Sequence, residues 1–265
     1  MTDAVLFDVQ DRIATITINR PEVLNALNND VRDRLVELTG RIESDGDIRC
    51  LVLRGAGDNF CAGGDLKMFG EIMKQDGESR RRQYRQFIHS VHIALLTMAR
   101  MPQPVVVAVQ GAAAGIGLSF VLAADLAIAA DDAKFALGYN QIGLSPDGSS
   151  TFFLPRTVGL KKAKEIAFLG ERFDAAAALE LGIVNRVVPR AGLDAAVADV
   201  AGRIAAGAPQ ALGRTKALFN ASTQSTLADQ LEAEVENFAA CAATDDFVEG
   251  VTAFLAKRPP KFRGR

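Results

Sequence analysis

The sequence predicts an α/β fold, a core of repeated strand, strand, helix units that ends in a helical tail. Two observations carry this. The hydrophobic period changes along the chain, from the β-branched run Ile13-Ala-Thr-Ile-Thr-Ile18 to Val31, Leu35, Leu38 and Ile42, which recur at three and four positions. Short apolar runs such as Val105-Val-Val-Ala-Val109 then alternate with helical stretches, as buried strands do.

The chain opens on a strand, since Val5, Phe7 and Val9 alternate, and the polar Gln10-Asp-Arg12 turns it into the next. After Asn19-Arg20-Pro21 the period lengthens, and Asp30 is the expected cap of a helix reaching Ile42. Cys50–Leu53 is a strand that ends in the loop Arg54–Asn59. Tyr84, Phe87, Ile88, Val91, Leu95 and Met98 mark one face of a helix ending near Pro102. Val105–Val109 leads through a Gly-Ala loop to a helix over Phe120–Asp125, then to strands at Leu126–Ala130 and Phe135–Leu137. Beyond Leu160 the pattern is mainly helical: Gly170 follows one helix, Asp174 caps the next, Gly182 ends it, and Ile183–Val188 returns to strand. Leu227, Leu231, Val235 and Phe238 line a late helix, and Asp245 begins the last. The expected organisation is a core over residues 1–200 and a helical region over 201–265.

Bulk composition excludes several functions. The net charge is 30 − 32 = −2, so no global field attracts nucleic acid or an anionic membrane. The N-terminal MTDAVLFDVQDR has no basic segment before an apolar run, and no stretch is long and apolar enough to span a bilayer. Cys50, Cys61 and Cys241 are odd in number without CxxC spacing, which points to reduced thiols in a cytoplasmic protein and no zinc site. His89 and His92 share a helix face, but no third ligand is near in sequence, so no metal is expected.

Two glycine-rich loops carry the chemistry. Asn59-Phe-Cys-Ala-Gly-Gly-Asp-Leu-Lys67 and Gln110-Gly-Ala-Ala-Ala-Gly-Ile-Gly-Leu118 each join a strand to a helix, where glycine exposes backbone N–H groups to a ligand. Neither fits GxxxxGK[ST] or the dinucleotide spacing. As a pair, FCAGGDLK and VQGAAAGIGLSFVLAADLAIA resemble the two signature loops of the crotonase (enoyl-CoA hydratase/isomerase) family. The opening NRPEVLNAL, the segment KFALGYNQIGLSPDGSSTFFLPRTVG, the run ALELGIVNRVVP and the ending EGVTAFLAKRPPKF extend the resemblance over essentially the whole chain.

The resemblance implies a repeated ββα spiral and an acyl-CoA enzyme whose coenzyme A thioester is the substrate, with no further cofactor. It implies that the backbone N–H groups of Gly64 and Ile116 hold the thioester oxygen, and Ile116, standing where a glycine is usual, is a position to check for strain. Each such donor contributes about 3–4 kcal/mol to a transition state that develops an oxyanion. Asp65, Leu66 and Lys67 match positions lining the coenzyme A site, and Asp65 also reads as a helix N-cap. The two hydratase glutamates align with Ser119 and Tyr139, so simple hydration, which needs an acid and a base, is disfavoured. Asp147, in Leu144-Ser-Pro-Asp-Gly-Ser149, stands where some isomerase branches carry their acid/base; its other reading is a helix cap. Tyr139 either hydrogen-bonds substrate or fills the wall.

The expected reaction is therefore double-bond isomerisation of an enoyl-CoA. Hydration, another lyase or hydrolase reaction of the family, and acyl-CoA binding without catalysis are the alternatives. Lys257, Arg258, Lys261, Arg263 and Arg265 make the C-terminus basic, reading either as a disordered tail or as part of the coenzyme site. By the resemblance, Phe254 and Lys257 reach the coenzyme A of a neighbouring subunit, which implies a homotrimer or a hexamer built as a dimer of trimers.

Overall fold

The computed structural model describes residues 3–265. β1 (Val5–Gln10) and β2 (Ile13–Ile18) form an antiparallel hairpin. Its two-residue turn puts Asp11 and Arg12 at φ 50° and 67°, the mirror-image turn that matches strand twist. β3 (Cys50–Gly55) and β4 (Val105–Val109) then add in parallel. The chain next alternates between two sheets: β5 (Ala112–Ala114) leaves, β6 (Leu126–Ala130) returns, β7 (Lys134–Ala136) leaves again, β8 (Phe173–Asp174) follows it and β9 (Arg186–Val188) closes the first. The strand orders are β1-β2-β3-β4-β6-β9 and β5-β7-β8. The first glycine-rich loop joins the small sheet through a parallel bridge of Cys61 to Ala113. This is the repeated spiral that the sequence resemblance implies, and it brings both glycine-rich loops to one place.

The helices are α1 (Asn29–Ser44), α2 (Leu66–Met73), α3 (Gly77–Arg100), α4 (Ile116–Ala123), α5 (Ser150–Val158), α6 (Leu160–Leu169), α7 (Ala175–Glu180), α8 (Leu193–Ala205), α9 (Pro209–Ser222), α10 (Leu227–Ala242) and α11 (Asp245–Leu255). Strand alternation sorts the core into two layers. Leu51, Leu53, Val105, Val107 and Val109 face α1 and α3, meeting Leu35, Leu38, Val91, Leu95 and Met98. Cys50, Val52, Val106 and Ala108 face α8, meeting Val197, Val200 and Ala201. Each large apolar side chain so buried stabilises the layers by about 1.5–3 kcal/mol.

Several boundaries differ from the sequence reading: α4 spans Ile116–Ala123 rather than Phe120–Asp125, and β7 spans Lys134–Ala136 rather than Phe135–Leu137. α1 is capped by Asn28, whose Oδ1 accepts the Val31 N–H, and Asp30 lies inside the first turn. A cap needs extended backbone, which Asn28 has. The strand expected over Ile183–Val188 shortens to Arg186–Val188, because the Ile183 and Val184 amides both donate to Ala178 O and finish α7. The Gly-Ala loop after β4 contains β5. In α1, a Cβ added to Gly40 would meet nothing within 4 Å. Gly40→Ala is therefore expected to raise unfolding free energy by about 0.5–1 kcal/mol, visible as a higher denaturant midpoint with unchanged slope.

The basic C-terminus is not a disordered tail. Glu249 takes a bidentate Arg258 pair and the Lys261 N–H, and the Asp246 carboxylate accepts the Arg263 and Gly264 N–H groups. Buried Arg49 ties it to the core by donating to Phe262 O and Ala205 O. α10 buries none of its residues; Leu227, Leu231, Val235 and Phe238 are all exposed. Among the described residues no helix is long and apolar enough to cross a membrane.

Candidate active site

The first glycine-rich loop is held by buried Asn25. Its side-chain amide donates to Ala56 O and Asn59 O, while its Oδ1 accepts the Arg20 N–H. Beyond it the loop runs as an unassigned strand against β5: Phe60 N–H donates to Gln110 O, Cys61 N–H to Ala112 O, and Ala114 N–H returns to Cys61 O. The backbone on either side of Gly64 is engaged with Leu27, through Leu27 N–H to Gly63 O and Asp65 N–H to Leu27 O. That pattern leaves the Gly64 N–H without a backbone acceptor among the described residues.

The second loop turns on Gly115, at φ 53° and ψ −120°, a conformation only glycine takes without strain. Ile116 directly after it is the first residue of α4, so its N–H has no intrahelical partner. Ile116, the position to check for strain, does not have positive φ; the unusual backbone falls on Gly115. All eight residues of α4 are buried. Its one polar side chain, Ser119, is satisfied by donating to Gly115 O and Asp147 O.

Gly64, Ile116, Tyr139 and Asp147 line a single cavity of about 610 Å³. Its apolar wall comes from Phe69, Tyr84, Phe87, Ile88, Val91 and Leu144, with Phe69 edge-on to Tyr84 at 5.3 Å. Asp147 is the only carboxylate among the described residues lining it. Its side chain does not cap α5. The capping Ser149 sits in left-handed backbone and its side chain caps no helix N–H, and Asp147 contributes only its carbonyl, to the Ser150 N–H and Oγ. The carboxylate instead accepts the Tyr139 hydroxyl at 2.5 Å on Oδ1.

Electrostatics at this pair run in opposite directions. Burial pushes the Asp147 carboxyl above the ordinary carboxylate range, while the Tyr139 hydrogen bond and His92 pull it back. Burial and then the Asp147 charge push the Tyr139 hydroxyl up, so it stays protonated and donates. His92, weighed in the sequence only as a metal ligand, belongs to this site: its Nε2 accepts the Gly148 N–H at 3.3 Å. Gly148 itself must be glycine, since a Cβ there would overlap Ile116 Cδ1 and come 2.9 Å from Ser119 Oγ.

The other expected site residues are not all in this cavity. Leu66 lines it, but Lys67 points to solvent. Asp65 is the α2 cap: it accepts the Lys67 and Met68 N–H groups and pairs with Arg20 at 2.8 Å, which leaves it buried and off the cavity wall. Ser119 lies beneath Asp147 and not on the wall. Phe69 lines the wall, whereas Met68 packs on the core and Gln75–Glu78 stay outside. Two cations also line the cavity, Arg81 from α3 and Arg172 from the loop before β8. Phe254 and Lys257 are exposed and do not line this chain's cavity. Among the described residues no group of three or more His, Cys, Asp or Glu could hold a metal ion.

Comparison with known proteins follows this geometry. A family model described as enoyl-CoA hydratase/isomerase matches residues 8–265. The chain is 36% identical over 265 residues to the 1,2-epoxyphenylacetyl-CoA isomerase of Escherichia coli, covering 100% of both. It is 31% identical to the trans-2-decenoyl-[acyl-carrier-protein] isomerase of Streptococcus mutans, covering 98% of each. Among solved structures, an enoyl-CoA hydratase from Polaromonas sp. JS666 superposes with a TM-score of 0.92 at 34% identity, covering 98% of this chain and 99% of that one.

Proposed function

This chain belongs to the enoyl-CoA hydratase/isomerase family, and we propose that it moves the double bond of an enoyl-CoA and does not hydrate it. One observation carries the choice: Asp147 is the only carboxylate lining the cavity among the described residues. Adding water across a double bond needs one group for the water and another for carbon. Shifting the bond needs a single group that takes a proton and returns it.

In this reading the thioester oxygen accepts the N–H groups of Gly64 and Ile116. Asp147 takes a proton from C2 of a 3-enoyl thioester, and the C–H pair delocalises onto that oxygen as a dienolate. Asp147 then returns the proton to C4, C4–H forms, and the double bond lies between C2 and C3. Donors aimed at a developing oxyanion are each worth about 3–4 kcal/mol. The apolar wall of Phe69, Phe87, Val91 and Leu144 suits the acyl chain.

α10 and the exposed face of α11 take the role of a subunit interface in a homotrimer or hexamer. An apolar stripe on a helix with no buried residue supports that assignment. Phe254 and Lys257 then serve a neighbouring subunit's coenzyme A, consistent with their exposure and their absence from this chain's cavity wall. Cys50, Cys61 and Cys241 are free thiols, which suits the cytoplasm.

Purified protein given a 3-enoyl-CoA is expected to produce the conjugated 2-enoyl-CoA, followed by its thioester-enone absorbance. Faster conversion of a 2-enoyl-CoA to the 3-hydroxyacyl-CoA than any isomerisation would overturn the reading.

A further inference from the structure

We propose that Tyr139 is a positioning residue for Asp147, its hydroxyl holding one carboxylate oxygen so that the other faces the acyl chain as an ionised base. This rests on Asp147 being the acid/base.

The two halves of Asp147 are anchored by different elements. Its backbone is fixed on several sides: the carbonyl accepts Ser119 Oγ from α4 and the Ser150 N–H and Oγ from α5, and the following Gly148 N–H reaches His92 on α3. The carboxylate has one side-chain hydrogen bond, from Tyr139 to Oδ1. Beside it stand only the residue's own N–H and the charge of His92, so the Tyr139 bond is the one side-chain contact from another element that sets the rotation about Cβ–Cγ, a torsion with a broad minimum.

Tyr139 is itself well placed to hold a direction. It begins the short 3₁₀ turn Tyr139–Ile142, flanked by Gly138 and Gly143. The turn is fastened to the C-terminal end of α6, with the Asn140 side-chain amide donating to Phe168 O and that of Gln141 to Gly170 O, and the Leu144 N–H closes back on Tyr139 O. The groups facing Asp147 are therefore Tyr139 from this turn, His92 from α3 and Ser119 from α4, with Arg81 and Arg172 elsewhere on the cavity wall. Tyr139 donates and keeps its proton, so it supplies a fixed dipole and does not compete for the substrate's proton.

The bond has a titration consequence with a definite sign. Burial favours the protonated Asp147, and the Tyr139 hydroxyl opposes that by stabilising the ionised form. A base works ionised, so activity falls as pH drops through its pKa. Removing the hydroxyl raises that pKa and moves the acid limb to higher pH.

Tyr139→Phe keeps the ring and deletes only the donor. The Asp147 carboxyl is followed by infrared pH titration of the full chain, with Asp147→Asn as the subtracted reference. The midpoint is expected to rise by about one pH unit in Tyr139→Phe, with the acid limb of kcat/KM rising equally and KM changing less than about twofold. An unmoved midpoint beside an inactive Asp147→Asn overturns the role of Tyr139 alone, as does a tenfold or so rise in KM with the limb in place, which marks a substrate ligand. Full turnover in Asp147→Asn overturns the acid/base reading and the catalytic part of this proposal with it.

Discussion

Asp147→Asn is expected to lower kcat on a 3-enoyl-CoA by about 10²–10⁴-fold, the usual worth of a positioned acid/base, while the Kd for acyl-CoA changes little. Asparagine is nearly isosteric, and its carbonyl oxygen can still accept the Tyr139 hydroxyl that holds Oδ1. The Gly64 and Ile116 amides are untouched, so ground-state binding survives. What disappears is the capacity to take a proton from carbon. Stability separates this from a folding defect. Asp147 has its pKa raised in the folded chain, mainly by burial. An acid raised in this way binds its proton more tightly folded than unfolded, so its contribution to stability is present at low pH and is lost as pH rises from the unfolded value, about 4, through the folded one. At neutral pH the wild type carries that cost and the neutral amide does not. Thermal melting at pH 7 should therefore show Asp147→Asn as stable as wild type or more so, alongside loss of deuterium exchange at C2 of the substrate. Undiminished turnover, or activity lost only in step with melting, would sink the assignment. The same pKa displacement sets the wild-type profile: the acid limb of kcat/KM should lie above the ordinary aspartate range.

The sequence made the layered core legible because strand and helix periods are local. Val105–Val109 is apolar at every position, and only a strand covered on both faces buries it so; α1 and α3 lie on one face and α8 on the other. The glycine-rich loops were legible for the same reason, since Gly115 and the first residue of α4 are adjacent in sequence. The environment of Asp147 was not. Its neighbours come from α3, a 3₁₀ turn and α4, at His92, Tyr139 and Ser119, and no local pattern joins them. Asp65 carried two readings, a coenzyme-site position and a helix cap, and its hydrogen bonds are those of the cap. Its place in a signature loop suggested the coenzyme site, yet the local need of α2 for a cap and the charge of Arg20 engage both carboxylate oxygens. Short-range hydrogen-bond demand prevailed over position in a motif.

Gly117→Ala tests whether the two loops act as one device. Gly117 is in the first turn of α4, one residue beyond the Ile116 amide, and there α4 lies directly on the first loop. A Cβ at 117 would overlap the Cys61 carbonyl oxygen and stand 3.0 Å from its carbon and 3.1 Å from its Cβ. These are mainly backbone atoms, and the oxygen already accepts the Ala114 N–H at 2.9 Å. No rotamer change relieves such an overlap, so the first loop and α4 must separate. Gly64 lies three residues along the displaced loop, and the amides of Gly64 and Ile116 would then no longer converge on one oxygen. Losing one well-aimed donor costs about 10²–10³ in kcat, so a loss of at least that size is expected, with destabilisation of about 1–3 kcal/mol from overpacking. A second glycine in the same chain supplies the comparison: Gly40→Ala, in open space on α1, should leave kcat unchanged. Measured on the folded fraction below the melting transition, Gly117→Ala should lose kcat while Asp147 still titrates as in wild type. That combination isolates the oxyanion donors from the base. Normal kcat in a folded Gly117→Ala protein would mean that the amides of Gly64 and Ile116 do not work together.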